Sequence, residues 1–210
     1  VDYLLQNWLE VIGLISGLAC VWLLIVQNVL TFPIGLIYAV VTVIVVARNA
    51  LYADVLLNLY YVVMNAYGWY FWIRGGGSRR VAVDQKIDQQ GEQDSELPVT
   101  WVPRSNWLWL TVVTIAGTAL MGWYFATFTA ADLPYPDSFT TVASFVAMWM
   151  SARKYLESWV LWFVIDVVQV ALYIYKGIEA YALLYFVYLG MAVWGWLSWR
   201  RTLAQPATSA

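Results

Sequence analysis

Seven apolar stretches divide this 210-residue chain, at roughly residues 8–27, 30–47, 51–73, 107–128, 138–152, 158–176 and 180–199. Most of them reach the length, about 17–25 residues, that a helix needs to cross the hydrocarbon core of a bilayer. Inside lipid a backbone must satisfy its own N–H and C=O groups, and each group left over costs several kcal/mol. These stretches are therefore expected to be transmembrane helices, and the chain an all-α membrane protein with seven of them. Only 11% of its residues are charged, where a soluble domain has about 25%. Many of its 14 tryptophans, among them Trp8, Trp72, Trp107, Trp159 and Trp199, fall near the ends of the apolar stretches. That is the headgroup level, where an amphipathic ring settles.

The 11 Lys and Arg residues give the topology. With seven spans, Arg74, Arg79, Arg80, Lys86, Arg104, Arg153, Lys154, Arg200 and Arg201 fall on one side, and only Arg48 and Lys176 on the other. Cytoplasmic loops carry the Lys/Arg excess. The expected placement is a multi-pass inner-membrane protein with the N-terminus facing out and the C-terminus in the cytoplasm. The first apolar stretch follows Asp2 without a basic leader and is expected to stay as a helix. Net charge of −2 and the lack of a basic stripe argue against a nucleic-acid partner. The chain has no histidine, which removes bis-histidine haem, histidine metal sites and a histidine general base. No metal and no cofactor is expected. Cys20 is alone, so there is no disulfide framework, and its apolar neighbours suggest an inert thiol.

Two of the stretches end alike. "YYVVMNAYGWYFWIR" (60–74) aligns without gaps on "VYLGMAVWGWLSWRR" (187–201), an offset of 127 residues. Tyr61, Met64, Gly68, Trp69, Trp72 and Arg74 match Tyr188, Met191, Gly195, Trp196, Trp199 and Arg201. Three spans finish on the side opposite their start, so a second, parallel set of three needs one extra crossing before it. The expected plan is 3+1+3. A first three-helix bundle covers 1–74, a polar cytoplasmic linker 75–106, a connecting helix 107–132, a second bundle 133–201 and a cytoplasmic tail 202–210. Parallel repeats of this kind occur in transporters whose substrate site lies near the bilayer midplane.

A carboxylate stands at that depth. Asp166 lies near the middle of "WVLWFVIDVVQVALYIY", where an acidic residue costs roughly 2.5–3.5 kcal/mol on insertion scales. It shares a helical stripe with Trp162, Gln169, Tyr173 and Lys176, at spacings of four and three. The last stretch offers Tyr181, Tyr185 and Tyr188 in the same rhythm, and the third offers Asn58, Tyr61 and Asn65. Asn58, Tyr61, Asn65, Trp162, Asp166, Gln169, Tyr173, Tyr185 and Tyr188 are the candidate substrate-binding residues. Aromatic faces attract a cation, a carboxylate neutralises it, and amides bind hydroxyls. The lining suits a planar, hydroxylated, cationic molecule. The competing readings are interhelical hydrogen-bond glue for the asparagines, plain packing for the tyrosines and a structural ion pair for Asp166. Lys176 and Glu179 are expected to pair at the outer interface.

"EVIGLISGLACVWLLIVQNVLTFPIGLI", "LYADVLLNLYYVVMNAYGWYFW" and "TTVASFVAMWMSARKYLESWVLWFVIDVV" resemble the PnuC family of bacterial vitamin transporters. The YGWYxW end of the third helix and the ARKxxExWxxW start of the sixth are its specific motifs here. The resemblance spans nearly all of the chain except 75–106. It implies a SWEET-like 3+1+3 fold and uptake of nicotinamide riboside by facilitated diffusion, with metabolic trapping by cytosolic phosphorylation. Two departures leave the substrate open. Asp166 stands where familiar members tend to carry asparagine, and Leu184 where they carry a glutamate. Relatives carry thiamine or riboflavin, and thiamine, like nicotinamide riboside, is a cationic aromatic with a hydroxyl. The expected partners are such a vitamin, the lipid bilayer and further copies of the chain in a homotrimer. A substrate-binding membrane subunit served by a separate ATPase is the rival class. An intramembrane enzyme is a poorer one, because a lone Asp without a second catalytic group is no basis for hydrolysis.

Overall fold

The computed structural model describes residues 8–48, 52–74, 97–129 and 131–204, with the side chains of 8–14, 41, 45–48 and 52–57 outside the description. Seven helices run through them: α1 (Trp8–Ile25), α2 (Thr31–Arg48), α3 (Tyr52–Arg74), α4 (Arg104–Phe128), α5 (Pro134–Ala152), α6 (Ser158–Tyr175) and α7 (Glu179–Ala204). All seven expected stretches are helical, and no regular strand occurs among the described residues. The fifth helix starts at Pro134 rather than 138, and its 19 residues exceed the 18 of α1, α2 and α6. A proline suits the first turn, whose N–H groups have no partner within the helix, and Asp137 there complements the helix dipole.

The helices form two compact units, residues 1–98 and 99–210. In the first, α2 packs against both α1 and α3. In the second the order of packing follows the chain, α4 on α5, α5 on α6 and α6 along α7. Val102, Leu110, Val146, Met150 and Tyr155 form the core that joins α4 to α5. By length and composition α4, α6 and α7 can each cross a membrane, with mean hydropathies of 1.5, 1.7 and 1.5. Much of α4 is exposed apolar surface, including Leu108, Val112, Ile115 and Leu120. A helix apolar on its outer faces suits lipid as its neighbour.

The 127-residue repeat is far more extensive than the matched helix ends. Shifted by 127, α2 falls on Ser158–Tyr175, the bounds of α6, and α3 starts where α7 starts. The turn before α2 and the turn before α6 are the same turn. Gln27 and Lys154 both have positive φ, at 58° and 51°. The N–H of Asn28 reaches the Leu23 carbonyl at 2.8 Å, and that of Tyr155 the Met150 carbonyl at 3.0 Å. Thr31 to Asn28 and Ser158 to Tyr155 are both 3.1 Å, and Phe32 to Val29 and Trp159 to Leu156 are both 3.2 Å. Where these turns lead, Gly68 leaves room for the Phe32 ring and Gly195 for the Trp159 ring. Phe32 meets Trp72 edge-on at 4.9 Å, and Trp159 meets Trp199 edge-on at 5.4 Å.

The expected linker lies outside the described residues up to 96, and its final part is an ordered strap. Thr100 pairs in strand fashion with the α5–α6 turn, its N–H bonded to the Lys154 carbonyl and its carbonyl to the Leu156 N–H, both at 3.0 Å. The Glu157 carboxylate receives the Val102 N–H at 3.1 and 3.0 Å. Val99 and Val102 are buried at 5% exposure, so apolar contact and the carboxylate together order a segment without helical periodicity. The ARKxxExWxxW motif is thus largely the construction of this turn. Lys154 takes the left-handed conformation and is 2% exposed, Glu157 holds the strap, and Trp159 fills the space at Gly195.

Candidate functional site

The α6 stripe is built as its spacing requires. Asp166 is buried at 5% exposure, and Trp162, one turn earlier on the same face, is half-buried, as are Gln169 and Tyr173. Neither a hydrogen bond nor an ion pair reaches the Asp166 carboxylate from the described residues. Among the described residues Asp166 therefore makes no structural ion pair. An ionised carboxylate without a partner in a low-dielectric setting is costly, and a cationic ligand is one way to offset that cost.

Lys176, at the end of the stripe, corrects one expectation. Its ammonium bonds both Asp137 oxygens, at 2.9 and 3.0 Å, rather than Glu179. Asp137 lies in the first turn of α5 and Lys176 caps the last turn of α6. In that arrangement each charge sits at the helix end that favours it.

Between α6 and α7 the tyrosines stack. Tyr173 lies nearly parallel to Tyr181 (5.2 Å, 23°) and to Tyr185 (5.3 Å, 14°), and Tyr185 meets Tyr188 edge-on at 5.7 Å. Seven residues back from Tyr173, about 10 Å along the helix, is Asp166. In an antiparallel hairpin with Tyr173 between Tyr181 and Tyr185, that level corresponds to Tyr188–Ala192 on α7. Tyr173, Tyr185 and Tyr188 thus form an aromatic wall running toward the depth of Asp166.

In the first unit Asn58 and Asn65 are buried at 9% and 7%, and Tyr61 is half-buried between them. The Asn65 amide donates to the Tyr61 carbonyl at 2.8 Å, one turn back. Its carbonyl oxygen lies against Gly35, where any side chain would collide with it. Asn65 is therefore partly committed to packing α3 on α2. The second unit reverses the sizes at the equivalent positions, with Trp162 in place of Gly35 and Ala192 in place of Asn65.

Ser151 was not among the expected site residues. Its hydroxyl accepts the Trp162 indole N–H at 3.1 Å and donates to the Ala147 carbonyl at 2.9 Å. The partners lie 11 residues apart across a turn, so helical spacing gives no sign of the contact.

A family model described as nicotinamide mononucleotide transporter matches residues 7–201. The chain belongs to that family. Its members are membrane transporters, not enzymes, and the PnuC resemblance read from the helix motifs is borne out. The nicotinamide riboside transporter PnuC of Escherichia coli (strain K12) is 29% identical, over 97% of this chain and 90% of its own length. PnuC of Neisseria mucosa is 25% identical, over 93% of this chain and 73% of its own. The riboflavin/roseoflavin transporter RibM of Streptomyces davaonensis is 28% identical over 63% of this chain and 57% of its own. The crystal structure of the vitamin B3 transporter PnuC has the same fold, with a TM-score of 0.67 at 23% identity, covering 97% of this chain and 86% of that one.

Proposed function

We propose that this transporter takes up nicotinamide riboside, a cationic vitamin, across the bacterial inner membrane. Asp166 carries the reading: a buried carboxylate without a protein partner among the described residues, on one face with Trp162, in a chain of this family. The pyridinium ring supplies the positive charge that the carboxylate lacks, and aromatic faces supply stacking. Within the second unit Gln169 offers hydrogen bonds for ribose hydroxyls, with Tyr173, Tyr185 and Tyr188 as the aromatic approach; Asn58, Tyr61 and Asn65 are proposed as substrate contacts of the first unit in its own right. Transport is facilitated diffusion, and phosphorylation inside the cell retains the vitamin. The fold is proposed as 3+1+3 with parallel bundles, which the helix bounds and turn geometry at the 127-residue offset support. The N-terminus faces the periplasm and the C-terminus the cytoplasm, as the Lys/Arg asymmetry suggests, and the chain assembles as a homotrimer. Thiamine is the second reading, since its thiazolium presents the same charge to the aspartate. Riboflavin, which is uncharged, makes no use of it.

Proteoliposomes containing only the purified chain test this reading. Labelled nicotinamide riboside should equilibrate without an ion gradient or ATP, and should accumulate only when ATP and a nicotinamide riboside kinase are enclosed. Entry of thiamine but not nicotinamide riboside would move the assignment to the second reading. Transport that requires an added ATPase would sink the class.

A further inference from the structure

The second unit holds its tryptophan in a way that the first unit's fold does without. A half-buried indole N–H usually finds an acceptor, and for Trp162 that acceptor is Ser151 on the neighbouring helix α5, at 3.1 Å. A serine hydroxyl has one proton and two lone pairs. The proton goes to the Ala147 carbonyl one turn back, at 2.9 Å, so a lone pair faces the indole. Ser151 is buried at 4% exposure. Trp162 also packs against the cluster of Ala143, Ala147 and Ile165. With its N–H bonded to Ser151, the ring offers a ligand its π-face and not its hydrogen-bond donor.

The repeat supplies the comparison that separates fold from function. At the 127-residue offset Ser151, Trp162 and Asp166 correspond to Leu24, Gly35 and Ala39. The first unit builds the same turn, with the same backbone hydrogen bonds and the same helix bounds, and has none of the three. The hairpin does not need the tethered indole in order to fold. The tether and the carboxylate occur together, in one unit, with Trp162 and Asp166 one helical turn apart on one face.

We propose that Ser151 is a positioning residue for substrate: it fixes the Trp162 ring so that its face lies beside the Asp166 carboxylate and stacks on the planar cation. This rests on the reading of Trp162 and Asp166 as substrate contacts. The wild-type side chain is rigid in the sense that matters for affinity, because the ring orientation is set before the ligand arrives. Loss of one such hydrogen bond corresponds to about a fivefold change in affinity.

Calorimetric titration of the purified full chain with nicotinamide riboside, and in parallel with thiamine, tests this in four variants: wild type, Ser151→Ala, Trp162→Phe and the double substitution. Ser151→Ala should weaken binding of the vitamin carried by about fivefold. Phenylalanine has no N–H to tether, so in the Trp162→Phe background the same change should be silent to within about twofold. Ser151→Thr, which keeps the hydroxyl, should bind better than Ser151→Ala. An equal loss in both backgrounds would make Ser151 a packing residue and overturn the proposal. So would unchanged affinity in Ser151→Ala while Trp162→Phe alone is weakened, and that result leaves the site reading intact. Unchanged affinity in Trp162→Phe would overturn the site reading itself and the proposal with it.

Discussion

Trp159 stands edge-on to Trp199, ring centroids 5.4 Å apart at 89°, and neither ring is more than 2% exposed. Gly195, one turn before Trp199, makes this possible, since a methyl group there would lie 2.5 Å from the Trp159 indole. Phe32, Trp72 and Gly68 repeat the arrangement in the first unit. The glycine shared by the two aligned helix ends is therefore a packing requirement of each bundle.

Gly195→Ala should accordingly destabilise the protein by about 1–3 kcal/mol, the usual cost of overpacking a filled core. A rigid indole closed in by Trp199 cannot move aside cheaply. Thermal unfolding of the purified protein checks this, with Gly190→Ala as the control, because nothing lies within 4 Å of a methyl there. Equal midpoints for the two variants would contradict it.

One carboxylate is among the groups that hold the strap before α4. Glu157→Ala removes the acceptor of the Val102 N–H, and a hydrogen bond to a charged group contributes about 1.5–3 kcal/mol. Amide exchange at Val102 should speed up strongly in this variant and less in Glu157→Gln, which keeps one carbonyl acceptor. Unaltered exchange in both would mean that burial of Val99 and Val102 and the Thr100 backbone pairing hold the strap without the carboxylate.

The Lys176–Asp137 pair should matter little to stability. Its side chains are 30% and 39% exposed, and exposed pairs contribute about 0.2–1 kcal/mol. A double-mutant cycle with Lys176→Met and Asp137→Asn should give a coupling below about 1 kcal/mol that shrinks further in high salt. A larger, salt-insensitive coupling would show that the pair is shielded from solvent.

The helices were legible because span length and apolar character are local properties, and all seven were found within a few residues of their ends. The repeat was legible only where identities cluster, around Gly68 and Gly195. In the preceding hairpins the equivalents are Phe32 with Trp159 and Thr31 with Ser158. These are similar in role but not in letter, so backbone geometry reveals a match that the residues conceal. Asp166 announced itself by its cost in lipid. The partners of its stripe did not: Ser151 reaches Trp162 across a turn, and Asp137 reaches Lys176 from 39 positions away. Such contacts depend on which helices pack together, and periodicity along one helix carries no information about that. The strap leaves no mark in the sequence for the same reason, since it is held against the α5–α6 turn, with Glu157 55 residues from Val102.

The most direct measurement of the central claim is a titration of Asp166→Asn and wild type with nicotinamide riboside, thiamine and an uncharged analogue of the vitamin that binds. Asparagine keeps the shape and removes the charge. The account predicts a loss of tenfold or more for the cation, from about 1.5–3 kcal/mol of charge-assisted contact, and a much smaller change for the uncharged analogue. Thermal stability should hold or rise, because a buried charge is gone. Unchanged affinity for both cationic vitamins would contradict the account, making Asp166 something other than the counter-ion for a transported ring.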